Sequence, residues 1–98
     1  MNLICEMQLT DYFKLSTGHV ALVGRLDEGY NEPLNKCQAY LYIGDKKVRS
    51  IHIVGEDQFS RVDESMRQGR RSVRTTDDVY QDLKSAKGEK IKLVFYNG

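Results

Sequence analysis

Apolar and polar residues alternate along the start of the chain, and a period of two indicates a β-strand with one buried face. The positions on one face are Leu3, Cys5, Met7 and Leu9, and Phe13 and Leu15 continue the spacing. Similar short apolar runs, bounded by glycine and polar residues, predict strands over residues 20–26, 37–43, 48–54, 70–74 and 90–96. Gly44 and Asp45 read as the turn of a hairpin.

Two segments show helical spacing instead. An apolar stripe at every third or fourth position predicts a short helix late in the chain, formed by Val79, Leu83 and Ala86. Residues 75–78 are two threonines and two aspartates, which are typical of a helix start, and Gly88 is typical of its end. Residues 56–69 are charged, with apolar residues three and four apart, and predict a loop that holds a helical turn or two.

Glycines frame the second predicted strand and indicate that it bends and then turns sharply. Gly18, Gly24 and Gly29 surround a run of aliphatic residues, and glycine permits backbone angles that other residues avoid. Turn signals recur roughly every 8 to 12 residues, which is the rhythm of an antiparallel barrel or sandwich. The pattern predicts a mainly β fold, a small antiparallel β-barrel of six or seven strands with one short helix, as a single domain over residues 1–98.

Residues 13–74 carry motifs of a known barrel. Gly18-His19-Val20 is followed by the corner Gly24-Arg25-Leu26-Asp27-Glu28-Gly29, and later by Lys47-Val48-Arg49-Ser50-Ile51. In these motifs the chain resembles the β-barrel second domain of translational GTPases, the elongation-factor family. The resemblance implies a barrel fold. The chain lacks the phosphate-binding Gly-x-x-x-x-Gly-Lys-Ser/Thr loop, so neither GTP hydrolysis nor ribosome binding is implied.

Composition is that of an ordinary globular protein, with 98 residues, 40% hydrophobic, 30% charged and a net charge of +1. Cys5 and Cys37 are too few for a disulfide scaffold, and we expect two buried, reduced thiols. No apolar run approaches the roughly 18 residues that span a bilayer. The first residues have neither a basic leader nor a long apolar stretch. These observations predict a cytoplasmic protein without a membrane partner.

Catalytic and metal-binding signatures are weak. His19 and His52 are the only histidines, and no paired Cys-x-x-Cys or His-x-x-x-His spacing joins them to the cysteines. We therefore expect no metal and no cofactor. The Gly-x-Ser-x-Gly nucleophile elbow is absent, and solvated loops or helix starts explain the acidic pairs. We expect a protein that is not an enzyme, and a small enzyme with an unrecognised site is the third interpretation.

The strongest functional signal is a cluster of arginines, Arg61, Arg67, Arg70, Arg71 and Arg74. With Asp63 and Glu64 between them, the cluster is net +3 in a chain of net +1. Three interpretations are open: a solvated edge strand protected by its charges, a docking patch for an acidic protein, and a nucleic-acid site. Several tyrosines are candidate stacking or interface residues, namely Tyr30, Tyr40, Tyr42, Tyr80 and Tyr96.

The predicted function is that of a non-enzymatic binding module acting on another protein. Its predicted surface combines the arginine cluster with Arg25 and Tyr30 of the 24–32 loop. A small chain without an evident active site suits a bacterial immunity protein that neutralises a cognate toxin. The alternative is an RNA- or ribosome-associated accessory factor, which the arginines and the barrel resemblance favour.

Overall fold

A computed structural model describes residues 2–26, 34–57 and 70–97. Those residues form seven strands and one helix. In chain order they are β1 Asn2–Lys14, β2 Val20–Leu26, β3 Cys37–Ile43, β4 Lys46–Ile53, β5 Gly55–Asp57, β6 Arg70–Thr75, α1 Tyr80–Ser85 and β7 Ile91–Asn97. The predicted strand over 37–43 has the observed bounds, and the first predicted strand is longer than its clearest alternation suggested.

All seven strands belong to one antiparallel sheet with the order β4-β3-β7-β1-β2-β6-β5. The two outermost strands, β4 and β5, are consecutive in the chain with only Val54 between them. The Val54 N–H donates a hydrogen bond to the Arg74 carbonyl of β6 at 2.8 Å. The sheet therefore curls until its first and last strands meet, which confirms the predicted mainly β, barrel-like fold.

The core lies inside the curled sheet and is built from the alternate, inward residues of its strands. Its largest fully buried members include Phe95, Met7, Leu22, Leu41 and Ile51. Both cysteines are buried and neither forms a disulfide, as expected. Desolvation by burial raises the pKa of the Cys37 thiol above its ordinary value, so this side chain stays protonated at neutral pH and packs as a small apolar group.

Gly24 lies in β2 where that strand approaches β1 most closely. A Cβ atom there would collide with the carbonyl oxygen of Gln8 and would lie 2.7 Å from Met7 Cγ. The register of β1 against β2 shifts between Leu9 and Asp11, close to this position. The bend predicted in this strand is thus a place where only a glycine fits between two backbones.

The edge-strand interpretation of residues 70–74 is wrong. β6 pairs with β2 from Arg70 to Thr75, and its other side pairs with β5 over Ser72–Arg74. No strand is predicted for β5 from the pattern of residues, because Gly55–Asp57 is short and polar; its strand partner is β6. β6 is therefore an interior strand from Ser72 to Arg74.

The predicted helix exists, and the side chains of its apolar stripe, Val79, Leu83 and Ala86, are buried. It begins later than expected, with Val79 at the N-cap position and no side-chain cap. Thr75 and Asp77 act elsewhere, because Thr75 Oγ1 accepts from the Asp77 N–H at 3.1 Å and the Asp77 carboxylate accepts from the His52 N–H at 2.7 Å. Within the described ranges, no helix has both the length and the apolarity required to cross a membrane.

Candidate functional site

The structure describes four of the residues predicted to form one basic site, namely Arg25, Arg70, Arg71 and Arg74. Arg61, Arg67 and Tyr30 lie outside the described residues. Arg25 is exposed on β2 and pairs with Arg70 of β6 in the backbone register. Arg74 is half-buried and pairs with Gly55 on one side and Ala21 on the other.

Arg71 is held by an acidic partner that the sequence analysis did not identify. Its guanidinium donates to both carboxylate oxygens of Glu56, through Nε to Oε2 and through Nη2 to Oε1 at 2.6 Å. Glu56 Oε1 also accepts from the Leu34 N–H at 3.0 Å. Each charged side chain is only 13% exposed. The pair therefore joins β5 to β6 and to the chain before β3, and Arg71 is engaged within the fold.

Two half-buried tyrosines and one buried tyrosine lie together on the side of two neighbouring strands that faces away from the core. Tyr40 and Tyr42 of β3 alternate with buried Ala39 and Leu41, so they point away from the core. Tyr96 of β7 joins them, because β7 is hydrogen-bonded to β3. We call the set of Tyr40, Tyr42, Tyr96, Lys47 and Lys92 the tyrosine face.

The rings of the tyrosine face are held in place by contacts with one another and with the two lysines. Tyr40 stacks on Tyr96 with ring centroids 4.3 Å apart and planes 17° apart. Lys47 Nζ lies 4.2 Å from the centroid of Tyr40, and Lys92 Nζ lies 5.1 Å from that of Tyr42. Since Tyr96 covers one face of the Tyr40 ring and Lys47 lies over the other, the ring presents mainly its edge and hydroxyl.

Hydrogen bonds hold the Tyr96 hydroxyl in place. Its hydroxyl donates to Gln38 Oε1 at 2.6 Å and lies 3.1 Å from Ser50 Oγ of β4. Desolvation, and then the neighbouring Tyr96 hydroxyl and Tyr42, raise the pKa of the Tyr40 hydroxyl. The Tyr40 phenol is therefore protonated at neutral pH and able to donate a hydrogen bond.

An exposed apolar residue extends this surface. Leu3 of β1 pairs with Tyr96 in the backbone register and is 68% exposed. Lys92 of β7 also forms a salt bridge with Glu6 of β1 at 3.6 Å. The surface thus has an aromatic and aliphatic centre with charged residues around it, which is the general composition of a protein-binding patch.

The described residues include both histidines and both cysteines of the chain. Nowhere in ranges 2–26, 34–57 and 70–97 do three His, Cys, Asp or Glu side chains lie close enough together to hold a metal ion. His52 lies between buried Ile51 and Ile53 in β4, its side chain is exposed, and its partner is the carboxylate of Asp77 at 3.6 Å.

The sequence contained part of the signal for the tyrosine face. The alternation Gln38-x-Tyr40-x-Tyr42 places three polar or aromatic side chains on one side of a strand. Tyr96 lies more than fifty residues further along the chain, and only the sheet order brings it to Tyr40.

Comparisons with known families, curated proteins and solved structures return no match to this chain. The resemblance to the elongation-factor barrel therefore stays a prediction that depends on short motifs. The proposed function therefore depends on the geometry of this protein's surface.

Proposed function

We propose that this protein is a non-enzymatic module that binds another protein through its tyrosine face. The observation that carries the proposal is the pair of half-buried rings Tyr40 and Tyr42, with Tyr40 stacked on buried Tyr96, beside exposed Leu3. Tyrosine is enriched at protein interfaces and among the residues that dominate binding energy. Rings that are already ordered lose little side-chain entropy when a partner binds.

The ring geometry favours a protein over a nucleic acid. Bases stack on open ring faces, whereas both faces of Tyr40 are covered by Tyr96 and Lys47. The net charge of +1 supplies no strong attraction for a phosphate backbone, and Arg71 is already bound to Glu56. We therefore favour a protein ligand over RNA, and a measurement of oligonucleotide binding distinguishes the two.

A bacterial toxin is the partner class that the sequence analysis predicts, and it stays a prediction. An immunity protein and its toxin form a tight stoichiometric complex, and their genes are neighbours. The product of the neighbouring gene is therefore the first protein to purify with this one. An isolated position among housekeeping genes would count against the toxin.

The proposal is tested by placing a photo-crosslinking amino acid at Tyr42 in the host cell, with Gln81 as the matched exposed position on α1. We expect an adduct with one protein from position 42 and none from position 81. With the purified pair, Tyr42→Ala should weaken binding by at least about thirtyfold, the size of an interface hot spot of about 2 kcal/mol.

Two results would contradict the proposal. One is a purified complex whose affinity is the same in wild type and in Tyr42→Ala. The other is binding of a single-stranded oligonucleotide that falls steeply with salt and is lost in Tyr42→Ala, which would assign the face to nucleic acid.

A further inference from the structure

The outer edge of β4 is exposed and strongly basic. Every residue from Lys46 to Ser50 is exposed, and the segment contains three cationic residues and no acidic one. Within the described residues, this segment pairs only with β3, and Val48 lies at the register shift between the two strands. Val48, at the centre of the segment, is an apolar side chain that is 37% exposed.

The backbone of this edge is oriented for pairing with another strand. The N–H of His52 points away from β3, because it donates to the Asp77 carboxylate. N–H and C=O groups of an antiparallel strand point to the same side at every second residue. The N–H and C=O of Ser50, two residues earlier, therefore also point toward the open side of β4.

The end of the same edge already binds an acidic segment of the chain itself. Asp77 accepts from the His52 N–H at 2.7 Å, and the Asp78 carbonyl accepts from Arg49 Nη1 at 3.1 Å. The Asp82 carboxylate lies 3.6 Å from the same guanidinium nitrogen. The open side of β4 thus already accepts carboxylates of this chain, one at a backbone N–H and one beside a guanidinium.

We propose that the edge Lys46–Ser50 binds an extended acidic segment of a partner protein as an added β-strand. This inference rests on the proposed protein-binding function and names the chemistry of the partner. Backbone hydrogen bonds to Ser50 would supply the pairing, and carboxylates opposite Lys46 and Lys47 would supply the specificity. The added strand would continue the sheet next to the tyrosine face.

Charge argues against a second copy of this chain as the occupant. Pairing two β4 edges would bring two segments of three cations each into register, and like charges on facing strands are destabilising. Cationic edge residues are a common protection against self-association of sheets. An acidic segment removes that repulsion, whereas a copy of β4 doubles it.

The experiment is an NMR titration with an octapeptide of alternating Glu and Val, with two control peptides. One control replaces Glu by Lys, and the other keeps the charge but carries a central proline that prevents strand pairing. We expect the acidic peptide alone to shift the amide signals of Val48 and Ser50. At ten times its dissociation constant it should slow hydrogen exchange at Ser50 by about tenfold.

Ser50→Pro removes the open N–H without removing a hydrogen bond to β3, and it should abolish these changes. Ser50→Ala separates this effect from loss of the hydroxyl and should retain them. If Ser50→Pro does not fold, the double variant Lys46→Glu, Lys47→Glu takes its place and should bind the lysine peptide instead.

Four results would overturn the inference. They are no response to the acidic peptide, an equal response to the proline peptide, a stronger response of the same amides to a single-stranded oligonucleotide, and concentration-dependent self-association through β4. If the peptide fails while the partner crosslinked at Tyr42 still depends on that residue, the edge inference alone is wrong. If both fail, the proposed function is wrong as well.

Discussion

The arginines of this protein have different roles, and the burial of each side chain decides whether it stabilises the fold or stays exposed to solvent. Arg25 is exposed on β2, whereas Arg71 is bound to Glu56 near the interior of the curled sheet. A buried ion pair gains little over apolar packing, but removal of one partner leaves an uncompensated charge. Arg71 therefore contributes to the fold in a way that its place in a basic cluster does not indicate.

Loss of one member of this pair should be severe. We expect Arg71→Met to lower the free energy of unfolding by about 3 kcal/mol, because Glu56 is left with a buried charge. The double variant Glu56→Leu, Arg71→Met should recover much of the loss. Urea denaturation measures the free energy of unfolding of wild type, the single variant and the double variant, with Arg25→Met as the exposed control. An Arg71→Met protein as stable as wild type would refute the assignment.

At the scale of the element, β2 depends on a residue that contributes no side chain. Gly24 lets the backbone of β2 approach that of β1 beside the register shift at Leu9 and Asp11. The close approach allows the sheet to curl tightly at this point. The elongation-factor resemblance pointed to this corner through its motif, and the structure supplies a steric reason for the glycine.

Gly24→Ala should be strongly destabilising. Its Cβ would meet the Gln8 carbonyl, and backbone atoms cannot move aside as a side chain can. We expect the free energy of unfolding to fall by about 1–3 kcal/mol, the typical cost of overpacking. Gly55→Ala is the matched control, because its Cβ would meet only the Asn35 side chain at 3.2 Å. Thermal unfolding gives the melting temperatures of Gly24→Ala and Gly55→Ala. Equal melting temperatures would contradict the steric argument.

At the scale of the whole molecule, the fold depends on where the sheet closes. β4 and β5 act as one strand that changes partners at Val54, pairing first with β3 and then with β6. The Val54 N–H bonds the Arg74 carbonyl at this transition. Closure shortens the edges that an open sheet would expose, and among the described residues the N-terminal part of β4 keeps β3 as its one strand partner.

Val54→Pro should weaken the closure. It removes the donor to Arg74, and we expect a loss of about 1–3 kcal/mol from the unpaired carbonyl. Hydrogen exchange should become faster at the backbone amides of β5 before those of β1 and β7, because the opening is local. Val54→Thr keeps the N–H and should leave exchange unchanged. Uniform acceleration across the sheet would show that closure is not a separate event.

The amino-acid sequence determined the elements whose pattern is local. The strand Cys37–Ile43, the hairpin turn that follows it, the apolar stripe of α1 and the outward position of His52 all follow from a period of two or of 3.6 residues. These features depend on neighbours along the chain, so a single sequence contains them.

Only the tertiary structure decided which elements meet. The pairing of Arg71 with Glu56, the strand β5, the interior position of β6 and the stack of Tyr96 on Tyr40 all join residues that are distant in sequence. Hydrophobic alternation gives each strand a buried face but does not select its neighbours. That choice depends on the curl of the complete sheet, and it brings together the side chains of the tyrosine face and forms the edge of β4, on which the two proposals depend.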